Sequence, residues 1–201
     1  MKMTSRDRIL LLLTALLASY QVAVGIDGFS ALPIIAYTIG FGVLLIAALL
    51  IFILGFDVLD SPIVVIVSTI IPLSLAMGLV WQHLASFRTV YLLFTIVSFL
   101  AVTLTRSISM QNKLPVITIA VTHGIAGMTI FLLPIILSMQ GQMKPMFALV
   151  GIGGALIGIG GLLLSFLKTG KPILSREIIL RLFPILLLLM TAFFVAGFIY
   201  G

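Results

Sequence analysis

Residues Gly151–Gly161 read Gly-Ile-Gly-Gly-Ala-Leu-Ile-Gly-Ile-Gly-Gly, so that six of these eleven residues are glycine. A helix in water would lose roughly 1 kcal/mol at each glycine relative to alanine. In a bilayer the backbone must stay hydrogen-bonded, so the helix persists, and glycine lets a neighbouring helix approach closely. The stretch therefore predicts a membrane helix that packs tightly on its neighbours, with glycines four or seven residues apart sharing a face.

The composition of the whole chain agrees with a membrane location. The chain has 201 residues, of which 62% are hydrophobic and 8% charged, with a mean hydropathy of +1.40. About a quarter of the residues are charged in soluble domains. The apolar segments do not alternate with polar residues, which argues against a transmembrane barrel. We predict an all-α polytopic integral membrane protein with a single domain over residues 1–201.

Seven apolar segments are long enough to cross roughly 30 Å of hydrocarbon at about 1.5 Å per residue. The first follows basic residues, as a signal peptide does, but its apolar run is longer than the core of a signal peptide. We therefore predict a bundle of seven transmembrane helices. The predicted helices cover residues 9–26, 31–55, 62–82, 88–105, 114–138, 145–167 and 177–200.

The basic residues predict the orientation of the bundle. If the seven helices alternate in direction, nine of the eleven lysines and arginines fall on one side. This side is expected to be cytoplasmic, which places the N-terminus inside and the C-terminus outside. We also expect the protein to lie in the cell (inner) membrane. The net charge of +6 is then explained by the orientation of the helices, and it does not indicate a nucleic acid as a partner. The nine residues are Lys2, Arg6, Arg8, Arg106, Lys113, Lys168, Lys171, Arg176 and Arg181.

The second to fourth segments resemble the fifth to seventh. Residues 32–35 match residues 114–117, and Gly42 then falls on Gly124. An odd number of helices in each unit makes the two units antiparallel, and such inverted repeats are common in transporters. The pattern predicts one helix plus two three-helix units, a 1+3+3 inverted repeat. Chance matching between two segments rich in leucine and isoleucine is the alternative.

His123 is the polar residue most suggestive of a site. It lies ten residues into the fifth segment, near the middle of the membrane. An ionisable side chain at this depth indicates function, and it borders a small-residue face with Gly124 and Gly127. These three residues, with Gly154 and Gly158, are the candidate ligand or pathway residues. The structural alternative is a neutral histidine that is hydrogen-bonded to the next helix.

A second candidate site lies in the most basic connection of the chain. Lys168, Lys171, Arg176 and Arg181 could together bind the headgroup of an anionic lipid. The alternative is an interfacial anchor in which Arg181 pairs with Glu177 four residues earlier.

No residue pattern in the sequence indicates catalysis, a metal or a cofactor. The chain has no cysteine, and no metal-ligand or nucleophile motif is present. His83 is expected at the outer end of its helix, too far from His123 for both to hold one haem. Asp57 and Asp60 are the only close pair of carboxylates, and they are typical of a helix cap and a solvated turn. We therefore predict that the protein is not an enzyme and has neither metal nor cofactor.

Two main functional readings remain open. The first is a non-catalytic accessory or scaffold subunit that packs against membrane lipids, other membrane subunits or a second copy of itself. The second is a small transporter or channel for an uncharged or weakly polar solute, built on the inverted repeat. A third reading is an enzyme that acts on lipid through Asp57 and Asp60. Independently of function, the small-residue faces of the fifth and sixth segments predict that these two helices cross closely.

Overall fold

A computed structural model describes residues 3–108, 113–168 and 174–201. Within these ranges the chain forms seven α-helices and three short 3₁₀ turns, and no strand. All seven helices are long and apolar enough to span a membrane, which confirms their predicted number. The helices are α1 (Ser5–Val24), α2 (Ala31–Leu54), α3 (Pro62–His83), α4 (Arg88–Ser107), α5 (Leu114–Met139), α6 (Ala148–Lys168) and α7 (Arg176–Tyr200).

The first helix begins at Ser5, four residues before its predicted start. The hydroxyl of Thr4 accepts a hydrogen bond from the backbone N–H of Asp7, and the Asp7 carboxylate accepts one from the N–H of Thr4. This capping box extends the helix into a charged segment that hydropathy does not mark. The sixth helix begins later than expected, at Ala148, because Pro145–Phe147 form a 3₁₀ turn.

Six of the helices form a ring in the order α1, α2, α3, α5, α6, α7, and α7 returns to α1. The remaining helix, α4, lies outside this ring against α3 and α5. The Arg8 guanidinium lies 5.8 Å from the centre of the Phe52 ring, and Arg176 pairs with Asp60 at 3.0 Å. The starts of α1 and α7 therefore share one end of the bundle with the α2–α3 connection. We call this end the basic end.

Aromatic side chains fill the opposite end, which we call the aromatic end. The ring centroids of Tyr37 and Phe198 are 4.7 Å apart, and those of His83 and Phe147 are 5.6 Å apart. Such ring pairs each contribute about 0.5–1.5 kcal/mol beyond the area they bury. The aromatic cluster consists of Phe29, Tyr37, Phe41, His83, Phe147, Phe194 and Phe198.

The glycine-rich helix α6 packs closely on both of its neighbours. A Cβ atom at Gly154 would lie 2.8 Å from the backbone of Ile130 in α5, and the contact between α5 and α6 is the most extensive in the bundle. A Cβ atom at Gly153 would lie 2.6 Å from the Phe194 ring in α7. The predicted close crossing of the fifth and sixth helices is therefore confirmed.

The contacts between helices bear on the inverted repeat without deciding it. The repeat pairs α2–α3 with α5–α6, and these are the two most extensive contacts in the described bundle. It also pairs α3–α5 with α6–α2, but the described residues show no comparable contact between α2 and α6. Instead, α1 lies between α2 and α7. The 1+3+3 inverted repeat stays a prediction.

Candidate functional site

A cavity of about 160 Å³ lies inside the ring, in the half of the bundle nearer the basic end. Helices α2, α3, α5, α6 and α7 all contribute to its wall, which consists mainly of aliphatic side chains. Among the described lining residues, only Ser68, His123 and Arg106 have polar side chains. An apolar cavity of about this volume can hold a molecule the size of benzene.

Two glycines at the end of the glycine-rich stretch give the cavity part of its width. Gly160 and Gly161 both line it, and Gly160 is buried. A Cβ atom at Gly160 would meet no atom within 4 Å, in contrast to Gly153 and Gly154. The first half of the stretch therefore serves helix packing, and the second half leaves open space within the ring.

His123 lines the cavity from α5. Its Nδ1 is 3.1 Å from the carbonyl oxygen of Ile119 one turn earlier. A carbonyl oxygen only accepts hydrogen bonds, so Nδ1 carries the proton in this contact, and a neutral ring keeps Nε2 as an acceptor. This hydrogen bond is to a residue of the same helix and not, as the structural alternative predicted, to the next helix. No residue in the described ranges donates a hydrogen bond to Nε2.

Arg106 lines the same cavity, although its place in the sequence predicts a role in topology only. It lies in the last turn of α4, where an arginine ordinarily reaches towards the headgroups and signals only topology. In the structure its Nε atom is buried and has no hydrogen-bond partner among the described residues. One feature of the sequence could have indicated this role: no acidic residue that could pair with Arg106 lies near it in the chain.

The structure separates the five predicted ligand or pathway residues. His123 lines the cavity, but Gly124 lies in an open groove on the outside of the bundle, among residues of α3, α4 and α5. A Cβ atom at Gly127 would lie 3.9 Å from Gly158, so these two residues meet where α5 and α6 cross. Gly154 packs against α5. Only His123 thus belongs to the cavity.

The predicted anionic-lipid residues are described only in part. Arg176 pairs with Asp60, and Arg181 pairs with Glu177, each at 3.0 Å. All four side chains are at least half exposed. The Lys168 side chain and all of Lys171 lie outside the described residues. A site that brings the four basic residues together stays a prediction.

Three buried polar atoms in the half near the aromatic end have no hydrogen-bond partner among the described residues. They are Gln21 Oε1, Tyr37 OH and His83 Nε2. Each unpaired buried polar group costs roughly 1–3 kcal/mol. The Tyr37 ring lies against Gly78, where a Cβ atom would be 2.6 Å from Cε1. The packing at this end therefore leaves three polar atoms without a hydrogen-bond partner among the described residues.

This chain matches no protein-family model, no curated protein and no solved structure. In the part of the chain that the structure describes, no three His, Cys, Asp or Glu side chains come together as a metal site requires.

Proposed function

We propose that this chain is a multi-pass membrane carrier that binds a small, mainly apolar solute in its central cavity. The main support is the cavity itself, which five helices of the ring line in the half of the bundle away from the aromatic cluster. Ligand sites are typically concave and mainly apolar, with a few polar groups that orient the ligand. Ser68, Arg106 and His123 are such groups here.

The unpaired atoms at the aromatic end support a carrier rather than a static container. Gln21, Tyr37 and His83 gain hydrogen-bond partners when this end opens to water or to a polar solute. Opening the aromatic end while the basic end closes would present one cavity to each side of the membrane in turn. Transporters commonly use this alternating access.

The proposed orientation places the basic end, with the N-terminus, in the cytoplasm and the C-terminus outside. The excess of lysine and arginine at this end supports it. The cavity would then be reached from the cytoplasm of a cell whose inner membrane holds the protein.

Cysteine labelling tests the proposed function. The chain has no cysteine, so Ser68→Cys places its single thiol on the cavity wall. We expect a hydrophilic methanethiosulfonate to label this thiol on the order of tenfold faster from the cytoplasmic side than from the outside. The thiolate is the reactive form, and in the proposed orientation water and the reagent reach it from the cytoplasm. We also expect para-fluorophenol to protect it.

Ser74→Cys is the matched control, because Ser74 is buried on the same helix and does not line the cavity. It should react slowly from both sides when no solute is present. If Ser68→Cys reacts as slowly as Ser74→Cys from both sides, the cavity is not a solute site reached from water.

A pair of tyrosine variants tests whether the Tyr37 hydroxyl is unpaired in the closed state. Tyr37→Phe keeps the ring in the aromatic cluster and removes the unpaired hydroxyl, so we expect unchanged or higher stability. Tyr91→Phe removes a hydroxyl that pairs with Thr129 at 3.1 Å, and should lower the free energy of unfolding by about 0.5–1.5 kcal/mol. Thermal unfolding in detergent measures both. A larger loss for Tyr37→Phe than for Tyr91→Phe would contradict the prediction.

An accessory or scaffold role is the second candidate function. The groove that contains Gly124 is apolar and open on the outside of the bundle, and a Cβ atom at Gly124 would meet nothing within 4 Å. Small residues on an open face suit a partner helix, whether from another membrane subunit or from a second copy. A stoichiometric partner chain together with an unreactive Ser68→Cys would favour this role. The predictions of no catalysis and no cofactor accompany both candidates.

A further inference from the structure

We infer that the solute is a small organic acid whose carboxylate pairs with Arg106 while its apolar body occupies the cavity. This inference rests on the proposed carrier function and names the substrate class of the same cavity.

Arg106 brings a positive charge to an otherwise apolar wall. It belongs to α4, which lies outside the ring, yet its side chain lines the cavity together with Val116 of α5 and Val65 of α3. Because α4 packs on α3 and α5, the side chain reaches the cavity past these two helices. Burying part of a charge without a partner is unfavourable, so this position favours an anion beside it.

No carboxylate side chain of the protein supplies this anion. The chain has five acidic side chains, all of them in the described ranges, and neither of the two ion pairs found there includes Arg106. Asp60 and Glu177 are in those two pairs, and Asp7 caps α1. Asp57 is exposed in the α2–α3 connection, and Asp27 lies in the α1–α2 connection near the aromatic end.

The chemistry of the guanidinium and the size of the cavity define the class of ligand. A guanidinium donates two parallel hydrogen bonds to a carboxylate, which makes the pair strong and directional. The cavity of about 160 Å³ accommodates an apolar body close to one benzene ring. A charged carboxylate does not enter hydrocarbon without help, so such an acid gains most from a carrier. A benzoate-like or short branched acid meets all of these conditions.

Fluorine NMR with para-fluorobenzoate and the neutral para-fluorobenzyl alcohol tests the inference in phosphatidylcholine nanodiscs. We expect the wild-type chain to bind the acid about 10- to 100-fold more tightly than the alcohol, the range for a hydrogen bond to a charged group. Arg106→Gln should remove this preference and leave alcohol binding unchanged, and Arg106→Lys should keep part of it. Arg88→Gln is the control on the same helix, because Arg88 is near Trp81 at the other end.

The outcomes separate the inference from the proposed function. Equal binding of the acid and the alcohol to the wild-type chain would overturn the carboxylate assignment and leave the cavity as a solute site. Binding of neither probe would overturn the proposed function itself. A preference that disappears in discs containing phosphatidylglycerol would assign Arg106 to a lipid phosphate, and would overturn the assignment to a free acid. If Arg106→Gln does not fold, Arg106→Lys with both probes decides the question.

Discussion

Replacing Gly154 with alanine is expected to lower the free energy of unfolding by about 1–3 kcal/mol or more, the cost of overpacking a well-packed contact. The added Cβ atom would lie 2.7 Å from Cγ2 of Ile130 and 2.8 Å from the backbone nitrogen of Phe131. Because the close contacts include backbone atoms of α5, rotation of a side chain cannot relieve them, and α5 and α6 must move apart. This separation would weaken the most extensive helix contact in the bundle.

Gly158→Ala is the matched control for this prediction. Gly158 lies one turn later on the same helix, and its Cβ atom would meet nothing within 4 Å. Alanine is favoured over glycine in a helix by roughly 1 kcal/mol, so this variant should be as stable as the wild type or more so. Thermal unfolding of both variants in the same detergent gives the comparison. Equal midpoints would show that the close crossing does not limit stability.

Gly160→Leu is expected to abolish solute binding in the cavity while the bundle remains folded. The new side chain would begin in open space on the cavity wall and occupy the volume that the solute needs. The solute then loses the burial of its apolar surface, at about 25 cal/mol per Å². We expect binding of para-fluorophenol, measured by fluorine NMR in nanodiscs, to fall by more than tenfold, since 1.4 kcal/mol corresponds to about tenfold.

Ile159→Phe controls for a general effect of a larger side chain on α6. Ile159 is the adjacent residue, and its side chain is exposed on the outside of the bundle. This variant should bind the probe as the wild type does. A Gly160→Leu chain that is folded and binds para-fluorophenol normally would show that the cavity is not the binding site.

The number of helices and most of their bounds could be predicted because they depend on local properties of the chain. The bilayer sets the length of each apolar run, and prolines such as Pro62 and Pro115 mark the helix starts. The start of α1 departed from the prediction because it depends on the hydrogen bonds between Thr4 and Asp7. A hydropathy pattern does not report a capping box.

The cavity could not be predicted because it depends on how distant helices are arranged. The depth of His123 was readable from its position in an apolar segment, but its neighbours were not. Arg106 becomes a site residue only because α4 lies outside the ring and next to α3 and α5. In the glycine-rich stretch, the spacing predicts which glycines share a face but not what each face meets: Gly154 contacts α5, Gly153 contacts α7 and Gly160 borders open space.

Because α4 lies outside the ring, the helix that carries Arg106 is not one of the five ring helices that form the cavity wall. Of the seven helices, α4 has the smallest buried share, with Ser98, Val102 and Thr105 as its buried residues. Tilting it would therefore break fewer buried contacts than tilting any helix of the ring. Such a tilt would move the Arg106 side chain out of the cavity, while the ring helices that form the cavity wall kept their positions. Under the proposed assignment of Arg106, a movement of α4 would change the affinity for an anion without changing the space available for its apolar body.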